Sequence, residues 1–195
     1  MAEPETGDLQ LLRRMRKGDE NAFGLLYERH QRPIFRFILH MTGSQAIAEE
    51  VTQEVFMLLI RKPGAYDSDK GTLAAYLFGV ARNLARHATR NIPPHVHLDD
   101  AEDSDQVSAQ DTDVVEVLSN SEALESLRKA LLALPEEYRE AVVLCDLQEM
   151  SYEQASAIME CSVGTVASRL HRAHKLLRTR LAHMAKSGEK RNSHV

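Results

Sequence analysis

Residues 151–180 read SYEQASAIMECSVGTVASRLHRAHKLLRTR, and this stretch decides the fold class. Ser151 can cap a helix, and Gln154 three residues later completes a capping-box pattern. Ala155, Ile158 and Met159 give that helix an apolar side. Cys161 and Ser162 interrupt it, and Ser162 can cap a second helix. In the second helix Val166, Leu170, Ala173 and Leu177 recur at i, i+4, i+7 and i+11, which is one helical face. Thr165, Ser168, Arg169 and Arg172 follow at i, i+3, i+4 and i+7 on a neighbouring face. Lys175, Arg178 and Arg180 extend the positive charge. Two helices joined by a tight turn predict a helix-turn-helix. One stripe of its second helix would pack, and the other would offer hydroxyl and guanidinium groups to bases and phosphates. Periodicity alone fits a solvated basic helix closing a bundle equally well.

The totals bound what can surround this stretch. A chain of 195 residues with 43% hydrophobic composition suits one or two small globular domains. Its two cysteines, Cys145 and Cys161, lack the Cys/His spacing of a zinc site and read as small core residues. The start, MAEPETGDLQ, is polar and acidic, unlike a signal peptide. No apolar run approaches the roughly 20 residues of a membrane span. These features predict a cytoplasmic, reduced protein with no membrane insertion. Net charge is −5, the wrong sign for a nucleic-acid binder, but the distribution resolves this. Residues 161–195 carry bases from Arg169 to Arg191 against one acid, Glu189. Residues 92–127 carry acids from Asp99 to Glu125 and no Lys or Arg.

Upstream, residues 8–90 read as one helical domain. Asp8 can cap a helix through Arg16. Residues 20–38 are amphipathic through Phe23, Leu26, Tyr27, Ile34, Phe35 and Ile38, and Pro33 inside them predicts a kink or a break. Thr42, Gly43 and Ser44 form a turn. Residues 45–61 are the most regular helix, with Ala48, Val51, Val55, Leu58 and Leu59 inward. Its outward Glu49, Glu50, Gln53 and Glu54 read, on charge alone, as a solvated acidic face. After the turn-rich loop 65–71, Thr72 can cap a helix to about Thr89 that joins an apolar first half to Arg82, Asn83, Arg86 and His87. Pro93 and Pro94 stop it, and the acid-rich residues up to about Asn120 predict a flexible linker. These acids could cover the basic C-terminal helix. His95 and His97 lack further ligands at fixed spacing, so no metal site is expected. Residues 121–134 resume an amphipathic helix through Leu124, Leu127, Leu131 and Leu134. Pro135 opens another with two acids in its first turn, and Tyr138, Ala141, Val142 and Cys145 on one side. The tail from Ser187 is expected to fray. No strand-like alternation stands out.

Several of these motifs resemble the sigma-70 family of RNA polymerase sigma factors, in particular its extracytoplasmic-function group. The run from Ser151 through Ala173 is similar to that group's reader of the −35 promoter element, with Ala167 where Arg is frequent. The resemblance implies DNA contacts from Thr165, Ser168, Arg169, Arg172 and Lys175. AIAEEVTQEVF resembles the segment that grips the clamp helices of the polymerase largest subunit, which implies core-binding roles for Glu49, Glu50, Gln53, Glu54 and Phe56. Ile47 stands there in place of a usual Asp. Residues 72–89 are similar to the segment that opens the −10 element, and the loop before them looks like its pocket for an extruded base. This implies roles for Tyr66, Tyr76, Arg82, Asn83 and Arg86. Tyr76 occupies the place of a frequent Trp and reads more readily as a core aromatic than as a stacking platform. LPEEYREA, leading into the helix-turn-helix, resembles the family as well.

The expectation is an all-α chain. Residues 8–92 would bind core polymerase and melt the −10 element, 93–120 form the acidic linker, 121–185 read the −35 element, and 186–195 be a disordered tail. Its partners would be core RNA polymerase (clamp helices and flap), promoter DNA and, as the family implies, an anti-sigma factor. No Gly-rich phosphate loop, nucleophile elbow or paired metal ligands stand out, so catalytic residues, cofactors and an enzymatic activity are not expected. Two alternatives stay open: a stand-alone helix-turn-helix regulator that binds duplex DNA without polymerase, and a sigma-like decoy that occupies anti-sigma partners.

Overall fold

The computed structural model describes residues 7–90 and 114–192, the stretches 114–122 and 185–192 by backbone alone. The residues 91–113, with most of the expected linker, its acids and the His95/His97 pair, lie outside the described residues. Among the latter the structure is helical and contains no strand: α1 Asp8–Met15, α2 Glu20–Thr42, α3 Gln45–Arg61, α4 Leu73–Thr89, α5 Val114–Leu132, α6 Glu136–Val142, α7 Tyr152–Met159 and α8 Val163–Asn192. The all-α expectation holds.

Local chemistry sets most boundaries. Asp19, Ser44, Thr72 and Ser151 each sit in extended backbone and accept a hydrogen bond from the third residue on, starting α2, α3, α4 and α7. At Ser151 both bonds of the capping box form, with Gln154 Oε1 accepting from the Ser151 N–H at 3.0 Å. Gly43 ends α2 in the left-handed region at φ 72°, where glycine avoids the Cβ clash. At the end of α7 that conformation falls on Glu160, at φ 54°.

Other boundaries depart from the sequence reading. Asp8 does not cap α1: Gly7 holds the cap position, and the Asp8 carboxylate reaches Arg29 at 2.6 Å and His30 at 2.8 Å. Of the kink or break expected at Pro33, the break does not occur, and α2 runs on through it. An interior proline costs about 3 kcal/mol or more, but Ile34, Phe37 and Ile38 beyond it are fully buried. Each such side chain stabilises by roughly 1.5–3 kcal/mol, so packing wins. The helix α5 starts at Val114, ahead of Ser121. Leu124 and Leu127, expected inside, are 65% and 40% exposed, and burial starts at Ala130 and Leu131. The helix after Pro135 turns π-helical over Val143–Leu147. The helix α8 continues to Asn192, into the stretch expected to fray.

The helices α1 to α4 pack around Leu11, Leu26, Phe37, Val55 and Leu77, with the Phe37 and Phe78 rings edge to face at 5.3 Å. The helices α5 to α8 pack around Leu131, Val143, Leu144, Ile158 and Val166. These sets meet, α2 against α5 and α4 against α7. At this junction a Cβ on Gly43 would lie 2.8 Å from Leu132 Cδ1, so the turn is packed as well as conformationally constrained.

Candidate nucleic-acid interface

The turn into α8 is tied by Ser162. Its Oγ accepts the Thr165 N–H at 3.1 Å and lies 2.8 Å from the Thr165 hydroxyl. Val166, Leu170, Ala173 and Leu177 are all buried, as the periodicity predicts. Ser168, Arg172, Lys175 and Arg178 are exposed on the other side, and Thr165 is half-buried. The Ser168 hydroxyl donates to the Thr165 carbonyl at 3.0 Å, leaving its lone pairs outward to accept. Arg169 is placed differently: its guanidinium donates to Glu137 of α6 at 3.1 Å and lies 3.7 Å from Cys161 Sγ, at 23% exposure. His171 is exposed on the outward side, three residues from Ser168 and four from Lys175, a spacing that could have marked it in the sequence.

A second cluster forms where the loop before α4 folds back. Arg16 holds this loop by donating to the Pro63 carbonyl at 2.8 Å. Tyr66 is buried and donates its hydroxyl to the Gly71 carbonyl at 2.9 Å. Its ring lies 5.6 Å from that of half-buried Tyr76, and burial pushes both phenols above their ordinary titration range. The two tyrosines, Lys70 and Asn83 line a cavity of about 290 Å³, whose far wall is Ile158 and Glu160 from the end of α7. Asn83 and Arg86 are exposed. Arg82 is not: it is buried in an ion pair with Glu140 of α6 and donates to the Met159 carbonyl at 3.5 Å. Burial pushes the Glu140 carboxyl up, and Arg82 acts in the opposite direction. Arg86 pairs with Glu136 at 2.9 Å, both about half exposed.

On α3, Glu49, Glu50 and Gln53 point to solvent, and Glu54 approaches Arg61 at 3.6 Å. Phe56 is buried at 2% exposure, edge to face with Tyr27 at 4.7 Å and with Phe23 at 6.4 Å. It therefore supports the acidic face from beneath. Ile47 is buried too, so an apolar residue there serves the core. Among the described residues, no group of three or more His, Cys, Asp or Glu side chains could hold a metal ion.

One chain thus carries an acidic helix face, a tyrosine-lined cleft beside Asn83 and Arg86, and a helix α8 with one buried apolar side and one exposed basic side. Residues 26–91 match Sigma-70 region 2, and residues 124–177 match Sigma-70, region 4. The chain is 34% identical over 185 residues to the ECF RNA polymerase sigma-E factor of Escherichia coli, covering 87% of this chain and 92% of that protein. It is 31% identical over 186 residues to the RNA polymerase sigma-H factor of Pseudomonas aeruginosa, covering 87% and 91%. To the ECF RNA polymerase sigma factor SigE of Mycolicibacterium smegmatis it is 34% identical over 158 residues, 80% of this chain and 60% of that longer protein. The chain belongs to the sigma-70 family, in its extracytoplasmic-function group of alternative sigma factors. Members of this family are DNA-binding regulators that direct promoter-specific transcription initiation, and so does this chain. The fold is shared with CnrH, solved in complex with the cytosolic domain of CnrY (TM-score 0.67, 21% identity, 94% of this chain and 99% of that chain). It is also shared with RpoE of Bartonella quintana, solved with the anti-sigma factor NepR (TM-score 0.63, 25% identity, 82% and 96%). No described helix is long and apolar enough to cross a membrane.

Proposed function

We propose that this sigma factor divides its work between residues 8–92 and residues 121–185. Glu49, Glu50 and Gln53 dock on the clamp helices of core polymerase, with Glu54 at the edge and Phe56 bracing them. Ser168, Arg172 and Lys175 read the −35 duplex, with Thr165 fixing the start of the recognition helix and Arg169 joining once released from Glu137. The Tyr66–Tyr76 cleft takes an extruded −10 base, and Asn83, Arg86 and Arg82 hold the strand. Stacking and cationic contacts are what single-stranded DNA requires. Bond chemistry is left to polymerase, so this chain is not an enzyme. It acts in the cytoplasm, where polymerase and promoters are, and the complex of RpoE with NepR supports an anti-sigma factor as a further partner.

The observation that carries the reading is the two-sided α8, with Val166, Leu170, Ala173 and Leu177 buried and Ser168, Arg172 and Lys175 exposed. Run-off transcription with bacterial core polymerase on a promoter library tests it, with Glu49→Lys/Gln53→Ala as control. Discrete transcripts that vanish with the control are expected. Sequence-specific duplex binding without any transcript would replace this reading with a stand-alone regulator; neither activity would leave a decoy.

A further inference from the structure

The loop between α3 and α4 builds one wall of the tyrosine cleft, through Ala65, Tyr66, Asp67 and Lys70. Of residues 64–72 only Tyr66 is buried. The bond from its hydroxyl to the Gly71 carbonyl, and the one from the Asp69 N–H to Asp67 Oδ1 at 3.1 Å, stay within the loop. They fix the loop's shape and leave its place on the body of the protein to other contacts. Arg16 supplies such contacts from just past the end of α1. Its Nε donates to the Pro63 carbonyl at 2.8 Å and its Nη2 to the Tyr66 carbonyl at 3.4 Å. One planar guanidinium thus spans two carbonyls that lie 47 and 50 positions away in sequence. The helix that carries it is anchored along its length. Leu11 and Leu12 are buried, Asp8 reaches Arg29 and His30, and Arg14 pairs with Asp19 at 2.9 Å. The match to Sigma-70 region 2 begins at residue 26, so α1 and Arg16 precede it.

We propose that Arg16 is a positioning residue for capture of the −10 base, holding the Pro63 and Tyr66 carbonyls so that the cleft is formed before DNA arrives. The inference rests on the reading of the Tyr66–Tyr76 cleft as the base pocket. Arg16 touches no base in this role and acts through Tyr66. A loop released from Arg16 gains backbone freedom, and a base entering the cleft would have to remove that freedom again. Binding then weakens by the fraction of molecules whose loop is in place. Because Arg16 is exposed, its loss falls on the loop rather than on the packed core. Lysine replaces it only in part, since a compact ammonium lacks the rigid fork that meets both carbonyls. Through Arg16, α1 takes part in selecting the −10 sequence, while duplex reading on α8 and polymerase docking on α3 proceed without it.

The test uses the full chain assembled with bacterial core polymerase. One probe is a fluorescein-labelled fork DNA with a duplex −35 element and a single-stranded −10 non-template strand, taken from a promoter that run-off transcription returns. The other is the −35 duplex alone. A series of forks carries one abasic site at each −10 position in turn. Anisotropy titration of the unaltered protein should find a position whose missing base weakens binding. Arg16→Ala should bind the intact fork about tenfold more weakly, the loss expected if its loop is in place in about one molecule in ten. It should bind the −35 duplex as before, and lose less than the unaltered protein at the sensitive abasic position. Arg16→Lys should fall between the two. Equal binding of the intact fork, an equal loss on fork and duplex, or an undiminished abasic penalty overturns the proposal. If thermal denaturation shows Arg16→Ala to be unfolded, Arg16→Lys decides by the same comparisons. Indifference of the unaltered protein to every abasic site rejects the cleft as a base pocket, and the positioning role with it. A sensitive site with Arg16→Ala unaffected rejects the positioning role alone.

Discussion

The Arg82 guanidinium and the Glu140 carboxylate form a buried ion pair that joins α4, proposed to melt DNA, to the half proposed to read the duplex. Breaking a buried pair from one side costs about 3–5 kcal/mol when the orphaned charge has no escape. Without Glu140, the buried Arg82 would keep its 3.5 Å bond to the Met159 carbonyl. Glu140→Ala should therefore lower stability in urea by about 3–5 kcal/mol, and Arg82→Ala/Glu140→Ala by less than the sum of the single changes. A double change as costly as the sum of the single ones would show that the two side chains act independently.

On the recognition helix, Arg172 is exposed and Arg169 is held by Glu137 at 3.1 Å. Arg172→Ala should cost about 1–3 kcal/mol at one promoter position and relax the preference there. Arg178→Ala should weaken all sequences alike and flatten the salt dependence. Glu137→Ala should release Arg169 and tighten duplex binding. Titrations of −35 duplexes at several salt concentrations read all three, and equal loss of selectivity from both arginine changes would contradict the division.

The acidic face of α3 and the aromatic group beneath it should separate cleanly. Glu50→Lys alters an exposed side chain and should abolish polymerase binding without moving the melting temperature. Phe56→Ala removes a side chain packed on Tyr27 and Phe23 and should cost about 3–5 kcal/mol of stability. Pull-down on core polymerase beside thermal denaturation checks the contrast.

Asp19 caps α2, and its carboxyl is held below the usual carboxylate range by the hydrogen bond from Arg14 and the one from the Ala22 N–H. A depressed folded-state value means that the stabilisation is present above the unfolded-state value and lost as pH falls through the folded one. Melting temperature should drop on that acid limb, and Asp19→Asn should flatten it. An unaltered limb in the variant would assign the acid sensitivity to other groups.

How much of this was legible follows from distance along the chain. The stripe from Val166 to Leu177 and the caps at Thr72 and Ser151 depend on neighbours within a turn or three, so sequence spacing contains them. The placements of Arg82 and Arg169 depend on Glu140 and Glu137, whose approach only the tertiary fold creates. Asp8 was misread for the same reason, since Arg29 and His30 compete for the carboxylate that would have capped α1. Pro33 does not break α2 because packing beyond it outweighs a local rule. Leu124 and Leu127 obey the helical period, yet burial on that face begins only a turn further on, at Leu131.

The turn at Gly43 carries a consequence for inheritance. Its missing Cβ makes room for Leu132, a residue of the other half. Chimeras that graft the promoter reader of a relative onto residues 7–90 would keep both reading surfaces intact, yet bring an unmatched side chain to this socket. Exchange of whole modules among such factors would then be limited by packing between Gly43 and Leu132, residues outside the surfaces proposed to read DNA and dock on polymerase.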